Sequence, residues 1–146
     1  TKSFQRGINQ LTPFLMSKHE TWRTRMYWES VGGLLIEEFI AVSGTKHQGR
    51  RPVDGLIVLG EDKALSSNTT YDIIGKDVIV IQTKQSRLGM YLLGQAYFSK
   101  ILIQKLGARS VKSVAICGRG DLVMEQLAAD HGIEVVVIEE SMKPTT

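Results

Sequence analysis

An acidic, an amide and a basic side chain stand where two predicted strands begin or end. The stretch Ile79 to Arg87, IVIQTKQSR, closes a nearly continuous apolar run with a polar triplet that contains Gln82 and Lys84. Residues i and i+2 of a strand project to the same side, so these two side chains face one way where a buried strand emerges. Asp54 stands near the start of the preceding apolar run, VDGLIVLG.

Together, these three residue types suit the binding of a divalent cation and a water molecule. Hard cations such as Mg²⁺ prefer oxygen ligands and commonly take one or two carboxylates, with water and phosphate oxygens completing the shell. Asp54 is the expected anchoring ligand, and the carbonyl oxygen of Gln82 is a second, weaker one. Lys84 is a cation that can orient or deprotonate an attacking water, or stabilise charge that builds on a phosphate.

The composition indicates one globular domain. The chain has 146 residues, of which 42% are hydrophobic and 23% charged, and its formal net charge is +3. This mildly basic balance permits a polyanionic partner. The single cysteine, Cys117, excludes an internal disulfide and reads as a buried apolar residue, which favours a cytoplasmic location. No apolar run approaches the ~18 residues that span a bilayer, so no membrane partner is expected.

The pattern along the chain predicts an α/β fold. Residues 1–20 read as an N-terminal arm, residues 21–140 as a single domain and residues 141–146 as a tail. The predicted elements are a helix at 22–42, a basic loop at 43–52, strands at 53–59, 77–84, 111–117 and 133–140, and helices at 87–106 and 121–130. Strands that alternate with helices favour a mixed sheet flanked by helices.

The triplet Pro52-Val53-Asp54 on one strand and Gln82-Thr83-Lys84 on the next resemble the signature of the PD-(D/E)XK nuclease superfamily. This resemblance extends over about residues 25 to 118. It implies a restriction-endonuclease-like core with the order αβββαβ, similar to that of Holliday-junction resolvases. Glutamine stands where the pattern has its second acidic residue, a variant that occurs in some branches of the superfamily. One negative charge is thereby lost, and metal affinity should fall unless another carboxylate compensates.

The resemblance also implies a carboxylate from the first helix. Glu37 lies almost opposite the apolar stripe of that predicted helix, so we expect it in solvent. Glu29 is the preferred metal ligand, since its spacing to Asp54 resembles that in archaeal resolvases. Glu38, which flanks the apolar stripe, is the alternative.

Polar side chains near the signature are expected to contact nucleic acid. In the resolvases the loop before the aspartate meets DNA, and the matching loop here is SGTKHQGRRP. The predicted phosphate contacts are Lys46, Arg50, Arg51, Gln85 and Arg87. The aromatic and aliphatic surface of the helix at 87–106 further suggests a homodimer.

The sequence thus predicts a metal-dependent endonuclease, a hydrolase of phosphodiester bonds, with DNA as the expected substrate and Mg²⁺ or Mn²⁺ as cofactor. Its site consists of Asp54, Gln82, Lys84 and Glu29. A non-catalytic nucleic-acid-binding module on the same fold is one alternative, because a lost carboxylate is how such sites lose activity. An interaction or structural α/β domain, with Asp54 and Lys84 as an ion pair, is the other.

Overall fold

A computed structural model of the chain describes residues 21–145 as an α/β fold built on a mixed six-stranded sheet. The first half contains α1 (Thr21–Val31), β1 (Leu34–Glu37), β2 (Ile40–Val42), β3 (Arg51–Pro52), β4 (Gly55–Val58) and β5 (Ala64–Ser66). The second half contains β6 (Asp77–Arg87), α2 (Met90–Gln104), β7 (Ser110–Arg119), α3 (Leu122–Asp130), β8 (Ile133–Val137) and a 3₁₀ turn (Glu140–Met142).

The central sheet has the strand order β5-β1-β4-β6-β7-β8, and β2 and β3 form a separate two-stranded ribbon. Strand β4 pairs antiparallel with β1 and with β6. Strand β7 pairs parallel with β6 on one side and with β8 on the other. The predicted α/β class and the mixed sheet are therefore confirmed. Helix α1 packs on one face of the sheet, and helices α2 and α3 pack on the other.

The prediction of a helix over residues 22–42 is wrong for its second half. Helix α1 ends at Val31, and the apolar residues that follow form strands β1 and β2. Gly32 and Gly33 have φ angles of 82° and 83°, a region that favours glycine. A Cβ at Gly33 would lie 2.8 Å from the carbonyl oxygen of Val58, so this position also needs a residue without a side chain.

The remaining predicted elements are found with shifted ends. Strand β6 runs three residues past Lys84, and helix α3 has the expected N-cap, since Asp121 Oδ1 accepts a hydrogen bond from the Met124 backbone N–H at 3.0 Å. Cys117 is fully buried in β7, as predicted. No helix within residues 21–145 is long and apolar enough to span a membrane. The predicted arm at 1–20 lies outside the described residues.

A bulge follows Lys84 in the pairing of β6 with β7. Lys84 pairs with Cys117 and Arg87 pairs with Arg119, so two residues of β6 oppose the single residue Gly118. A Cβ at Gly118 would overlap the carbonyl oxygen of Gln85. The glycine therefore lets β6 bend directly after the predicted catalytic lysine.

We expect Gly118→Ala to destabilise the protein by about 1–3 kcal/mol, because the added methyl group meets backbone that cannot move freely. Chemical denaturation monitored by circular dichroism measures this loss. Gly49→Ala is the matched control, since a Cβ at Gly49 meets nothing within 4 Å. Equal stability of both variants would contradict the account of the bulge.

Candidate active site

The Asp54 carboxylate lies at the backbone of strand β6. Asp54 Oδ2 accepts a hydrogen bond from the Thr83 backbone N–H at 2.8 Å. Asp54 directly precedes Gly55, which pairs with Ile81, so the aspartate sits where the β4–β6 ladder ends. This contact sets an exposed carboxylate beside the peptide that links Gln82 to Thr83.

Because side chains alternate along β6, Thr83 faces one side of the sheet, and Gln82 and Lys84 face the other. The Thr83 hydroxyl lies 3.0 Å from the Thr24 hydroxyl of α1, so Thr83 faces that helix. Gln82 and Lys84 face the other side, where one contacts Ser99 and the other Tyr91, both from α2. The two side chains share a face, as the sequence predicts.

The Gln82 amide is held by a side chain of helix α2. Its Nε2 donates to Ser99 Oγ at 2.7 Å, and the residue is only 6% exposed. A neutral amide suits this environment, because a carboxylate in the same place would have to lose most of its hydration. The hydrogen bond fixes the orientation of the amide plane.

Lys84 is partly buried, and its ammonium group lies over an aromatic ring. Lys84 Nζ is 5.2 Å from the centroid of the Tyr91 ring, which itself is 71% exposed. Attraction between a cation and the ring face restricts the position of the ammonium group. The neighbour of Lys84 on β7 is Cys117, and burial raises the pKa of its thiol, so this cysteine stays protonated at neutral pH.

The structure does not bring Glu29 to Asp54. Glu29 forms an ion pair with Lys63. Lys63 directly precedes Ala64, which pairs with Leu34 at the start of β1. Asp54 instead adjoins the far end of β1, about 10 Å along the strand. The preference for Glu29 as the helical carboxylate is thus not supported by its position.

The alternative, Glu38, does not lie on a helix. It occupies an exposed turn after β1 with a φ of 58°, a left-handed conformation that is uncommon for a residue with a side chain. The next residue, Phe39, accepts a hydrogen bond through its carbonyl from the Val53 N–H at 2.9 Å. Glu38 is therefore closer than Glu29 to the segment that carries Asp54.

Glu37 is not the solvated residue that the helical pattern predicts. It lies opposite Gly55, beside Asp54, and its side chain is 12% exposed. The Arg25 guanidinium of α1 donates to both of its oxygens, at 2.8 and 2.7 Å. A bidentate pair of this kind neutralises the carboxylate and ties α1 to the sheet.

The predicted nucleic-acid contacts lie in three places. Arg50 and Arg51 lie on the ribbon side and line a cavity that also reaches Gln82. Gln85 and Arg87 are exposed at the bulge that follows Lys84. Lys46 is exposed in the turn between Thr45 and Gln48, at the tip of the loop.

Sequence reasoning missed Ser99 and Tyr91 as members of the site. The mostly apolar helix that contains Ser99 has other polar residues as well, namely Gln95, Lys100 and Gln104. The small polar Ser99 was therefore only a weak signal in the sequence. Nothing in the local sequence distinguishes Tyr91 from the other aromatic residues of the same helix, because its role depends on the contact with Lys84.

Within residues 21–145, no group of three or more His, Cys, Asp or Glu side chains is arranged to hold a metal ion. Any cation site here would rest on Asp54, with weaker oxygen ligands and solvent. Comparison of the chain with protein-family models, curated proteins and solved structures finds no match.

We expect Tyr91→Leu to remove the ring-current shift of the Lys84 side-chain protons, because the ring that lies below the ammonium group is lost. Tyr91→Phe should retain the shift, since the ring face is unchanged. Two-dimensional ¹H–¹³C NMR measures both. Tyr97→Leu, on the same helix, is the control and should leave the Lys84 signals in place.

Proposed function

We propose that this chain is a metal-dependent endonuclease that hydrolyses phosphodiester bonds, with DNA as the expected substrate. The observation that carries the proposal is the hydrogen bond from the Thr83 N–H to the Asp54 carboxylate. It sets an exposed carboxylate on the strand that presents Gln82 and Lys84. An acid, an amide and an ammonium group gathered at one strand end suit the handling of a phosphate and a water.

The order of the main elements supports the same proposal. When the β2–β3 ribbon and the short edge strand β5 are set aside, the chain runs α1, β1, β4, β6, α2, β7. This is the order αβββαβ of the restriction-endonuclease-like core. Asp54 precedes the second of these strands and Lys84 lies near the end of the third, as the PD-(D/E)XK resemblance requires.

The residues fit a divalent cation only as a weak site. Of the described residues, Asp54 would be its one carboxylate ligand and the Gln82 carbonyl oxygen a neutral one, and water and phosphate oxygens would complete the shell. Mg²⁺ or Mn²⁺ bound there would polarise the phosphate and lower the pKa of a bound water. Arg25 neutralises the nearby Glu37, so this glutamate adds little negative charge to the site.

The chain's own contribution is to orient the reacting groups. The backbone hydrogen bond of Asp54 fixes its carboxylate, and the ring of Tyr91 restricts Lys84. The Lys84 ammonium can orient the attacking water and stabilise charge on the phosphate oxygens. Attack of the water oxygen on phosphorus breaks the bond to one sugar oxygen; the attacking water releases a proton to solvent, and the leaving oxygen takes one from solvent.

A non-catalytic nucleic-acid-binding module is the second candidate. The nearly buried, hydrogen-bonded amide of Gln82 favours it, since the corresponding superfamily position is acidic and this chain has a neutral group bonded to Ser99. The same surface would then bind nucleic acid without cutting it. An interaction domain is less well supported, because its motivating ion pair is replaced by the contacts of Asp54 with Thr83 and of Lys84 with Tyr91.

The homodimer stays a prediction and would use the outer surface of helix α2. Met90 at the start of this helix is 68% exposed and lies outside the cavity that Gln82 lines. A cytoplasmic location likewise stays a prediction.

We expect the wild-type protein to nick supercoiled plasmid in the presence of Mg²⁺ or Mn²⁺. Lys84→Ala and Asp54→Asn should each lower the rate by about a hundredfold or more, since each removes a charged group from the reaction. Agarose-gel assays of nicked and linear product measure the rates. Lys105→Ala, which removes an exposed lysine at the far end of α2, should cleave as wild type does.

Two results would count against the nuclease. Wild-type protein that is inert on plasmid, single-stranded and four-way-junction DNA would favour the binding module. Undiminished cleavage by Lys84→Ala would mean that the activity comes from elsewhere.

We expect millimolar Mn²⁺ to raise the unfolding temperature of the wild-type protein by about 2–5 °C, because a ligand that binds only the folded state stabilises it. Asp54→Asn should abolish the shift, and Gln82→Glu should enlarge it by restoring a carboxylate. Differential scanning fluorimetry measures these shifts.

Asp72→Asn is the matched control for this titration. Asp72 is also exposed and also accepts a backbone hydrogen bond, from Ile74 N–H at 3.0 Å, yet it lies away from the proposed site. A shift of the same size in wild type, Asp54→Asn and Asp72→Asn would indicate unspecific metal binding and refute the site.

A further inference from the structure

A cavity of about 320 Å³ with a mixed polar and apolar lining lies between the β2–β3 ribbon and helix α2. Gln82, the residue that replaces an acid in the signature, is part of its wall. Six of its lining residues matter here: Arg50, Arg51, Gln82, Gln95, Phe98 and Ser99. The volume is at the small end of the range for ligand cavities, which suits one nucleobase better than a base pair.

Gln82 lines the cavity, and its amide makes fewer hydrogen bonds with the described residues than it could. Within residues 21–145 its side chain makes one hydrogen bond, from Nε2 to Ser99 Oγ. One N–H and the carbonyl oxygen of the side chain therefore have no partner among these residues, although only 6% of Gln82 is exposed. A donor of fixed orientation that has no partner among residues 21–145 is suited to a ligand that carries an acceptor.

The other lining residues fit the same chemistry. Gln95 supplies a second amide, and glutamine amides pair with the donor and acceptor groups on the edges of bases. Phe98 is 62% exposed and offers a ring on which an unstacked base can lie. Arg50 and Arg51 are exposed at the ribbon, where guanidinium groups can meet the adjoining phosphate.

We propose that this cavity receives one unpaired nucleobase of a DNA strand, with the neighbouring phosphate held by Arg50 and Arg51. The inference rests on the proposed function, and deepens it by naming the substrate class: DNA in which a base is unpaired, as in single strands and flaps. The remaining N–H of the Gln82 amide then donates to the base next to the bond that Asp54 and Lys84 act on, and its carbonyl oxygen stays available to a metal ion. This neutral amide supplies a donor to an acceptor on the base, whereas an ionised carboxylate would offer none.

The test measures binding without metal, so that it does not depend on cleavage. A fluorescein-labelled single-stranded 12-mer and a blunt duplex of the same sequence are titrated with the full chain in EDTA, followed by fluorescence anisotropy. We expect wild type to prefer the single strand. Phe98→Leu and Gln95→Ala should each weaken binding of the single strand about tenfold, the range for loss of one base contact.

Two controls lie outside the cavity. Leu122→Ala removes an exposed apolar side chain at the start of helix α3, and Gln126→Ala is an amide change on the same helix; both should bind as wild type does. A second measurement uses the same 12-mer with 2-aminopurine as a reporter base. We expect its fluorescence to fall on binding to wild type and to fall less with Phe98→Leu, because the base stacks on the ring.

The binding results test the nucleobase cavity independently of nuclease activity. Equal binding of single strand and duplex, no binding of either, or unchanged binding by both cavity variants would overturn it, even if the protein cleaves plasmid. Weakened binding by Phe98→Leu and Gln95→Ala, with the controls intact, would support it. In that case an inert protein would be a single-strand-binding module instead of an enzyme.

Discussion

Strand β6 runs past the end of its partner β4, and this mismatch sets the chemistry of the whole region. Ile81 still has a partner, Gly55, but the residues beyond it do not pair with β4. The N–H of the nearly buried Thr83 needs an acceptor, because an unsatisfied buried donor is costly. The Asp54 carboxylate supplies it. One hydrogen bond thus completes the sheet and holds an acid at the strand that carries Gln82 and Lys84.

The two faces of β6 divide structural from candidate functional side chains. On one face, Thr83 contacts Thr24 of α1, and Gly55 allows that helix to approach closely, since a Cβ there would lie 2.8 Å from the Thr24 methyl group. On the other face, Gln82 and Lys84 meet helix α2 and the cavity beside the ribbon. Because a strand alternates, rigid packing on the first face fixes the second.

The substitution of an amide for an acid changes what this second face can do. Beside Asp54 there is less negative charge than a site with two carboxylates would have, and Arg25 neutralises Glu37. Metal affinity therefore has to come from substrate phosphates and water as much as from the protein. In exchange, Gln82 carries an N–H donor, which a metal ion cannot use but an acceptor on a base can.

The sequence alone determined the elements whose signals are local. Apolar runs and alternation gave the α/β class, strand β6 and helices α2 and α3, and alternation also put Gln82 and Lys84 on one face. The break at Gly32-Gly33 was underestimated, because helical spacing continued across it while the φ angles of both glycines require a turn. That error made Glu37 and Glu38 look helical. Only the tertiary structure decided their surroundings, since contacts between residues distant in sequence, such as Tyr91 beneath Lys84, leave no periodic trace in the chain.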